Sequence, residues 1–249
     1  ASRVLAQIAR YDKNRKIFIV AFGGGVVGDL AGFVSAVYKR GVPYIQIPTT
    51  LLAQVDSSVG GKTGYNHPRG KNMIGSFYQP KGVFIDTDTL TTLPKEELTA
   101  GLVEVIKYGM IRSGQFFEFF ENALDDILKL DNDALEHIVF NSCKTKADIV
   151  EEDEKEGGIR AILNYGHTIG HAIEALTNYS QYRHGEAVAI GMVYASKIAK
   201  EIGLTDDSII NRQKSLLERL GLATEVSGID PSKIVEKLYQ DKKTLGGKL

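Results

Sequence analysis

The sequence has 249 residues, with 30 Lys+Arg against 31 Asp+Glu for a formal charge of −1, and 43% hydrophobic and 24% charged residues, an ordinary globular composition. Interspersed, balanced charge offers no clustered basic face for nucleic acid or an anionic membrane. No apolar run approaches the roughly 20 residues of a bilayer helix, and the first residues carry no signal-peptide core. The sequence therefore predicts a cytoplasmic chain with neither nucleic acid nor membrane as partner. The one cysteine, Cys143, excludes an internal disulfide and sits in a helical pattern as a small hydrophobe, while 26 glycines point to backbone that approaches a ligand closely.

Ser2 to Tyr11 reads as a helix with no strand before it. Lys16 to Phe22 is a nearly continuous apolar run ending in Gly23-Gly24-Gly25, the pattern of a strand buried on both faces in a parallel sheet. Asp29 to Arg40 has helical apolar spacing and stops at Gly41-Val42-Pro43. Tyr44 to Ile47 and Gly82 to Asp86 read as further strands, separated by a polar, glycine-rich stretch from Gln54 to Lys71. Beyond Leu93-Pro94 the pattern turns helical: Lys95 to Arg112, Asp133 to Glu152, Leu163 to Leu176, Gly185 to Gly203, Ser208 to Leu220 and Pro231 to Gln240. The expected architecture is an α/β part over residues 1–92 with a mostly parallel, Rossmann-like sheet, then an α-helical domain over 93–249, with the active site in the cleft between them. Both ends read as cut, so a fragment of a longer protein is expected.

Gly23-Gly24-Gly25-Val26-Val27-Gly28-Asp29 follows a strand and opens a helix, the setting in which free N–H groups bind a pyrophosphate. Its spacing departs from G-x-G-x-x-G, and a plain tight turn stands as the alternative. Thr49 and Thr50 follow the next strand, either as N-caps or as ligand contacts. The segment from Asp56 to Gly64 lacks the glycine spacing of a Walker loop, yet Lys62 between glycines, with Arg69, Lys71 and Asn72 close behind, offers donors to an anion or forms a solvated basic loop.

Glu104 and Lys107 share one face of an otherwise apolar helix, where a carboxylate requires a cation or a metal; a surface ion pair is the bland alternative. The densest cluster is Asn164-Tyr165-Gly166-His167-Thr168-Ile169-Gly170-His171-Ala172-Ile173-Glu174, with His184 and Glu186 beyond it, and it holds three of the five histidines. His167 and His171 at i, i+4 share a helix face, and Gly166 and Gly170 leave space beside them. Two histidines and a carboxylate suit a catalytic zinc, and Glu104, His167 and His184 offer such a set from three helices, with His171 open as ligand or proton-transfer group.

Taken in order, GGGVVGDLAGF (23–33), PTTLLAQVDSSVGGKTG (48–64), GKNMIG (70–75), EVIK (104–107), LNYGHTIGH (163–171) and HGEAV (184–188) closely resemble the 3-dehydroquinate synthase family over nearly the whole chain. The resemblance implies a shikimate-pathway lyase that converts 3-deoxy-arabino-heptulosonate 7-phosphate into 3-dehydroquinate and phosphate, with NAD and a divalent metal, Zn2+ or Co2+, as a homodimer. It assigns the metal to Glu104, His167 and His184 and leaves His171 beside the substrate. It places NAD near Gly24, Gly25, Asp29, Thr49, Thr50, Lys62 and Thr92. Substrate contacts fall to Asp56, Lys62, Asn72, Lys107, Lys146, Glu156, Arg160, Asn164 and Lys243, and Arg40 is expected to reach the neighbouring subunit's phosphate site. The rivals are another sugar phosphate cyclase, a metal-dependent polyol dehydrogenase, and a domain that keeps only the fold.

Overall fold

Strand β1 (Ile19–Gly23) runs parallel to β2 (Tyr44–Pro48), with Ile19 opposite Tyr44 and Gly23 opposite Pro48. The structure is a computed structural model that describes residues 1–13, 16–67, 70–178 and 180–243, with the backbone alone for Lys71 and residues 240–243. The chain opens with α1 (Ser2–Tyr11), as its periodicity predicts. Helix α2 (Gly25–Val37) begins at the glycine turn itself, earlier than expected. It ends in a 3-10 turn, Tyr38–Arg40, where Lys39 and Arg40 take φ of 50° and 66°.

Two helix glycines let α2 lie against the strands. A Cβ on Gly28 would fall 2.4 Å from Gln46 Oε1, and one on Gly32 would fall 2.4 Å from Thr63 Cγ2. Gly82 to Asp86, expected as a third strand, makes a single parallel bridge, Gln46 with Val83. The backbone bonds Gln46 N to Gly82 O and Phe84 N to Gln46 O flank it.

The expected sheet is thus smaller than predicted, and the polar stretch after Gln54 is more ordered than predicted. A short π-helical turn, Ala53–Ser57, leads into an antiparallel hairpin of β3 (Lys62–His67) and β4 (Gly70–Phe77). Its polar strands lack the apolar alternation that marks a half-buried strand. The facing glycines explain the tight pairing: a Cβ on Gly75 would sit 2.3 Å from Thr63 O, and one on Gly64 would sit 2.7 Å from Ile74 O.

The remaining helices are α3 (Lys95–Arg112), α4 (Gly114–Leu128), α5 (Asn132–Glu152), α6 (His167–Leu176), α7 (His184–Glu201), α8 (Asp207–Arg219) and α9 (Pro231–Lys243). Local chemistry sets their starts. The Asp131 carboxylate accepts from Ala134 N at 3.0 Å, and the Asp206 carboxylate accepts from Ser208 N and Ile209 N. Helix α4 was not anticipated, although Ser113 caps it through Phe116 N and its apolar side chains Phe116, Phe117, Phe120, Leu124 and Ile127 are buried. The expected helix from Leu163 is divided: Ile159–Asn164 form a 3-10 turn, Gly166 takes φ 78°, and α6 starts afresh at His167.

The described chain forms two compact units. One comprises residues 1–105 and 122–160, the other 106–121 and 161–249. The first buries Ala21, Val34, Tyr44, Leu51, Val55 and Leu90 around β1, β2 and α2. The second has a core of Ile169, Ala172, Ile173, Ala187, Ile190 and Ile234 from α6, α7 and α9. No described helix is long and apolar enough to cross a membrane.

Candidate active site

In the first unit the glycine turn opens α2 with no side-chain cap, so its first-turn amides are presented to an anion. The glycines also serve packing, because Cβ atoms on Gly24 and Gly25 would fall 3.0 Å from Thr50 Cγ2 and 2.9 Å from Ser57 Oγ. Thr49 N donates to Gly23 O, which ties the second strand–helix turn to the first, and Thr50 Oγ1 caps the next turn by accepting from Ala53 N. Gln54 braces the same region, its Nε2 donating to Asp86 O at 3.0 Å and Thr89 Oγ1 at 3.1 Å. Thr92 closes the 3-10 turn Thr87–Thr92 and is exposed.

One pocket of about 350 Å³ is lined by Asp29, Lys62, Thr63, Asn72 and the β4 residues Met73 to Phe77 except Ile74. Three predicted site residues, Asp29, Lys62 and Asn72, therefore meet in one place. Asn72 adopts φ 50° and donates its backbone N–H to Asn66 Oδ1. Lys62 pairs with Glu156, another predicted residue.

Close to Asp29, Lys146 Nζ donates to Asp56 Oδ1 at 2.9 Å and to Asp56 O at 2.7 Å. Burial pushes the Asp29 carboxyl up to about 6, Lys146 pulling it down and Asp56 adding to the rise. Arg160 is 1% exposed, its guanidinium donating to Gly60 O at 3.1 Å and to Glu154 O and lying over the Phe77 ring. Arg40 is exposed on its strained turn. Arg69 and the side chains of Lys71 and Lys243 lie outside the described residues.

On α3, Glu104 and Lys107 are 1% and 2% exposed, which removes the surface-pair alternative for both. Lys107 Nζ sits 5.0 Å from the centroid of the Tyr108 ring.

In the second unit three imidazoles converge. Ring centroids lie 5.3 Å apart for His167 and His184, 5.5 Å for His167 and His171, and 5.8 Å for His171 and His184. Glycines produce this approach. A Cβ on Gly170 would fall 3.0 Å from Ala187 O, and one on Gly166 would fall 2.4 Å from Met192 Cγ. The space expected beside the histidines is thus filled by helix α7, which carries His184 to α6.

Both candidate ligands have Nδ1 engaged. His167 Nδ1 lies 3.3 Å from Tyr165 O, and His184 Nδ1 lies 3.2 Å from Glu174 Oε2. A ring that donates Nδ1–H to such an acceptor and carries no second proton presents its Nε2 lone pair, the form that binds a divalent cation. Tyr165 is itself anchored, its hydroxyl bonding Met192 O at 3.1 Å and Ser196 Oγ at 2.5 Å. Burial pushes that hydroxyl's pKa up. Asn164 is exposed and lines a separate, largely apolar pocket of about 590 Å³ with Ile111, Ile162 and Leu238.

The motifs had given no role to Glu174. Its signal was spacing, since i+7 from His167 and i+3 from His171 put it on their face of α6.

A glycine-turn α/β unit followed by a histidine-bearing helical unit is the arrangement of the sugar phosphate cyclases that this chain is similar to. Two solved members superpose on this chain: 2-epi-5-epi-valiolone synthase from Streptomyces hygroscopicus, with NAD+ and Zn2+ bound, at a TM-score of 0.90 and 25% identity over 99% of this chain and 69% of that one; and 2-deoxy-scyllo-inosose synthase, complexed with carbaglucose-6-phosphate, NAD+ and Co2+, at 0.86 and 34% over 95% and 65%. Within that class the chain belongs to the 3-dehydroquinate synthase family. The family models for the N-terminal and C-terminal parts of 3-dehydroquinate synthase match residues 1–100 and 101–244. The 3-dehydroquinate synthase of Desulforamulus reducens is 56% identical over all of this chain and 70% of its own length. The chain spans between 64% and 70% of the length of the curated relatives it matches.

Proposed function

We propose that this chain is the catalytic body of a 3-dehydroquinate synthase, a phosphate-eliminating lyase of aromatic amino acid biosynthesis. It converts 3-deoxy-arabino-heptulosonate 7-phosphate into 3-dehydroquinate and phosphate through transient oxidation, phosphate elimination, re-reduction and intramolecular aldol closure. The observation that carries this reading is the His167 and His184 pair, each ring tied at Nδ1 to an acceptor, on a chain that both family models cover. Relatives of this name are 51 to 56% identical, against 25 to 34% for the cyclases that form other rings. That difference favours dehydroquinate over the sister products.

Residues 1–92 hold NAD, with Gly24, Gly25 and the α2 amides on the pyrophosphate and Asp29, Thr49, Thr50, Lys62 and Thr92 around the rest. Residues 93–249 hold metal and substrate. Glu104 joins His167 and His184 as the metal ligands, a carboxylate and two imidazoles being a donor set that suits Zn2+ or Co2+. When bound, the metal supplies a Lewis acid for the substrate's hydroxyls and NAD supplies a hydride acceptor that is regenerated in each turnover.

The chain's own residues position and neutralise. Lys62, Lys107, Lys146, Arg160 and Lys243 offer cations to the substrate's carboxylate and phosphate, and Asp56, Asn72, Glu156 and Asn164 orient its hydroxyls. Lys146 is held by Asp56 and Lys62 by Glu156, so each cation reaches the substrate from a fixed base. His171, exposed beside the two ligands, is placed to move a proton. Arg40 reaches the phosphate site of a second subunit in a cytoplasmic homodimer.

Phosphate release from the heptulosonate phosphate, measured with and without NAD+ and a chelator, tests this reading. Release that needs both NAD+ and metal, with no accumulation of free NADH, is expected. Stoichiometric NADH without phosphate would show a dehydrogenase instead.

A further inference from the structure

We infer that Glu174 is the positioning carboxylate of the metal centre, accepting the Nδ1–H of His184 and so presenting that ring's Nε2 as a ligand. The inference rests on the proposed role of His184 as a ligand and adds a residue to which the family motifs assign nothing.

Glu174 is 3% exposed near the C-terminal end of α6. Its flanking residue Ile173 and the facing Ala187 belong to the apolar core of the second unit. A carboxylate in such surroundings is costly without a partner, and its Oε2 lies 3.2 Å from His184 Nδ1. His184 is the first residue of α7, where a ring without a second anchor is free to rotate about its side-chain bonds. The bond to Glu174 removes that freedom and selects the Nδ1–H tautomer. An anionic acceptor also raises the basicity of the opposite nitrogen, and loss of such a partner typically weakens metal binding by about 10–100-fold. At its Nδ1, His167 faces a neutral acceptor, the Tyr165 carbonyl, whereas His184 faces a carboxylate.

The same side chain has a competing use. Ligand atoms of His171, Glu174 and His184 lie within 4.8 Å of one another, so a cation held by that trio is the alternative. In that arrangement Glu174 would bind metal directly.

The test uses the full chain, stripped with chelator and reloaded. Zn2+ affinity is measured by competition with a chromophoric chelator, and the visible absorption spectrum is recorded with Co2+, for the parent protein, Glu174→Gln, Glu174→Ala and His184→Ala. Circular dichroism checks that each variant is folded, and the near-isosteric Glu174→Gln keeps the question answerable if the alanine variant does not fold. Glu174→Gln is expected to weaken Zn2+ binding about 10-fold while keeping the band pattern of the Co2+ spectrum, because the ligands themselves are unchanged. His184→Ala is expected to lose stoichiometric metal. Parent-like affinity in Glu174→Gln, with metal lost in His184→Ala, would overturn the role of Glu174 and leave the ligand reading standing. Metal retained in full by His184→Ala would overturn the ligand reading itself. Complete metal loss in Glu174→Gln would make Glu174 a ligand and overturn its positioning role.

Discussion

Gly191 on α7 lies so close to Gly166 that a methyl group on it would fall 2.0 Å from the Gly166 carbonyl oxygen and 2.9 Å from Gly170 N. Backbone meets backbone there, and the contact joins the two helices that carry the three clustered histidines. Gly191→Ala therefore has no flexible side chain to push aside. A destabilisation of about 3 kcal/mol, the upper part of the range for overpacking, is expected as a lowered urea midpoint. Metal binding should weaken with it, since separating α6 from α7 moves His184 away from His167. An unchanged midpoint would mean that the two helices can part without cost.

His184→Ala and Lys62→Ala separate the metal centre from the anion-binding group. The first removes a proposed ligand and should release the metal, read by elemental analysis after gel filtration. The second removes a cation that pairs with Glu156 and is none of the three proposed ligands, so it should keep full metal while losing activity. Full metal and full activity in both variants would discard the site assignment.

Asp29 makes stability depend on pH. Its folded-state value near 6 exceeds the ordinary 3.8, so between those values the native state holds more protons than the unfolded chain. The contribution of this group is then most favourable below about 4 and is lost as pH rises through 6. Asp29→Asn removes the buried charge, and above pH 6.5 it should be more stable than the parent by roughly 1–2 kcal/mol, after allowance for partial solvent screening. That gain should disappear towards pH 4. Thermal melts of both proteins across this range decide the matter, and a gain that grows on acidification would contradict the assignment.

Cys143 should be slow to react. Its thiol donates to Gln54 O at 3.1 Å, and burial pushes its pKa up to about 11. A thiolate fraction lowered about 100-fold, offset in part by higher intrinsic nucleophilicity, predicts alkylation at pH 7.5 about 10-fold slower in the native protein than in denaturant. Equal rates would show that this side chain is open to solvent.

Much of the architecture was legible because its signals are local. The apolar run before Gly23 and the helical spacing after it read as β1 and α2, although the strand expected to be buried on both faces leaves Val20 and Phe22 exposed on one of them, and apolar periodicity marked most helices to within a few residues. The hairpin of β3 and β4 was not legible, since its strands are polar and its register is set by glycines facing one another across the pair. Helix α4 was legible and unread: Ser113 and a regular apolar stripe announce it.

The sequence by itself determined the residue types of the site and the family they belong to, because motifs such as LNYGHTIGH and HGEAV are contiguous strings. Only the tertiary structure decided what the glycines among them do. Gly166 and Gly170 read as space beside the histidines, yet that space is occupied by α7. It also decided that Glu174 Oε2 lies against His184 Nδ1, and that Lys146 is held by Asp56. Periodicity reports which residues share a face of one element. Which distant element fills the space against that face depends on side-chain volume and backbone approach, quantities settled when the chain packs.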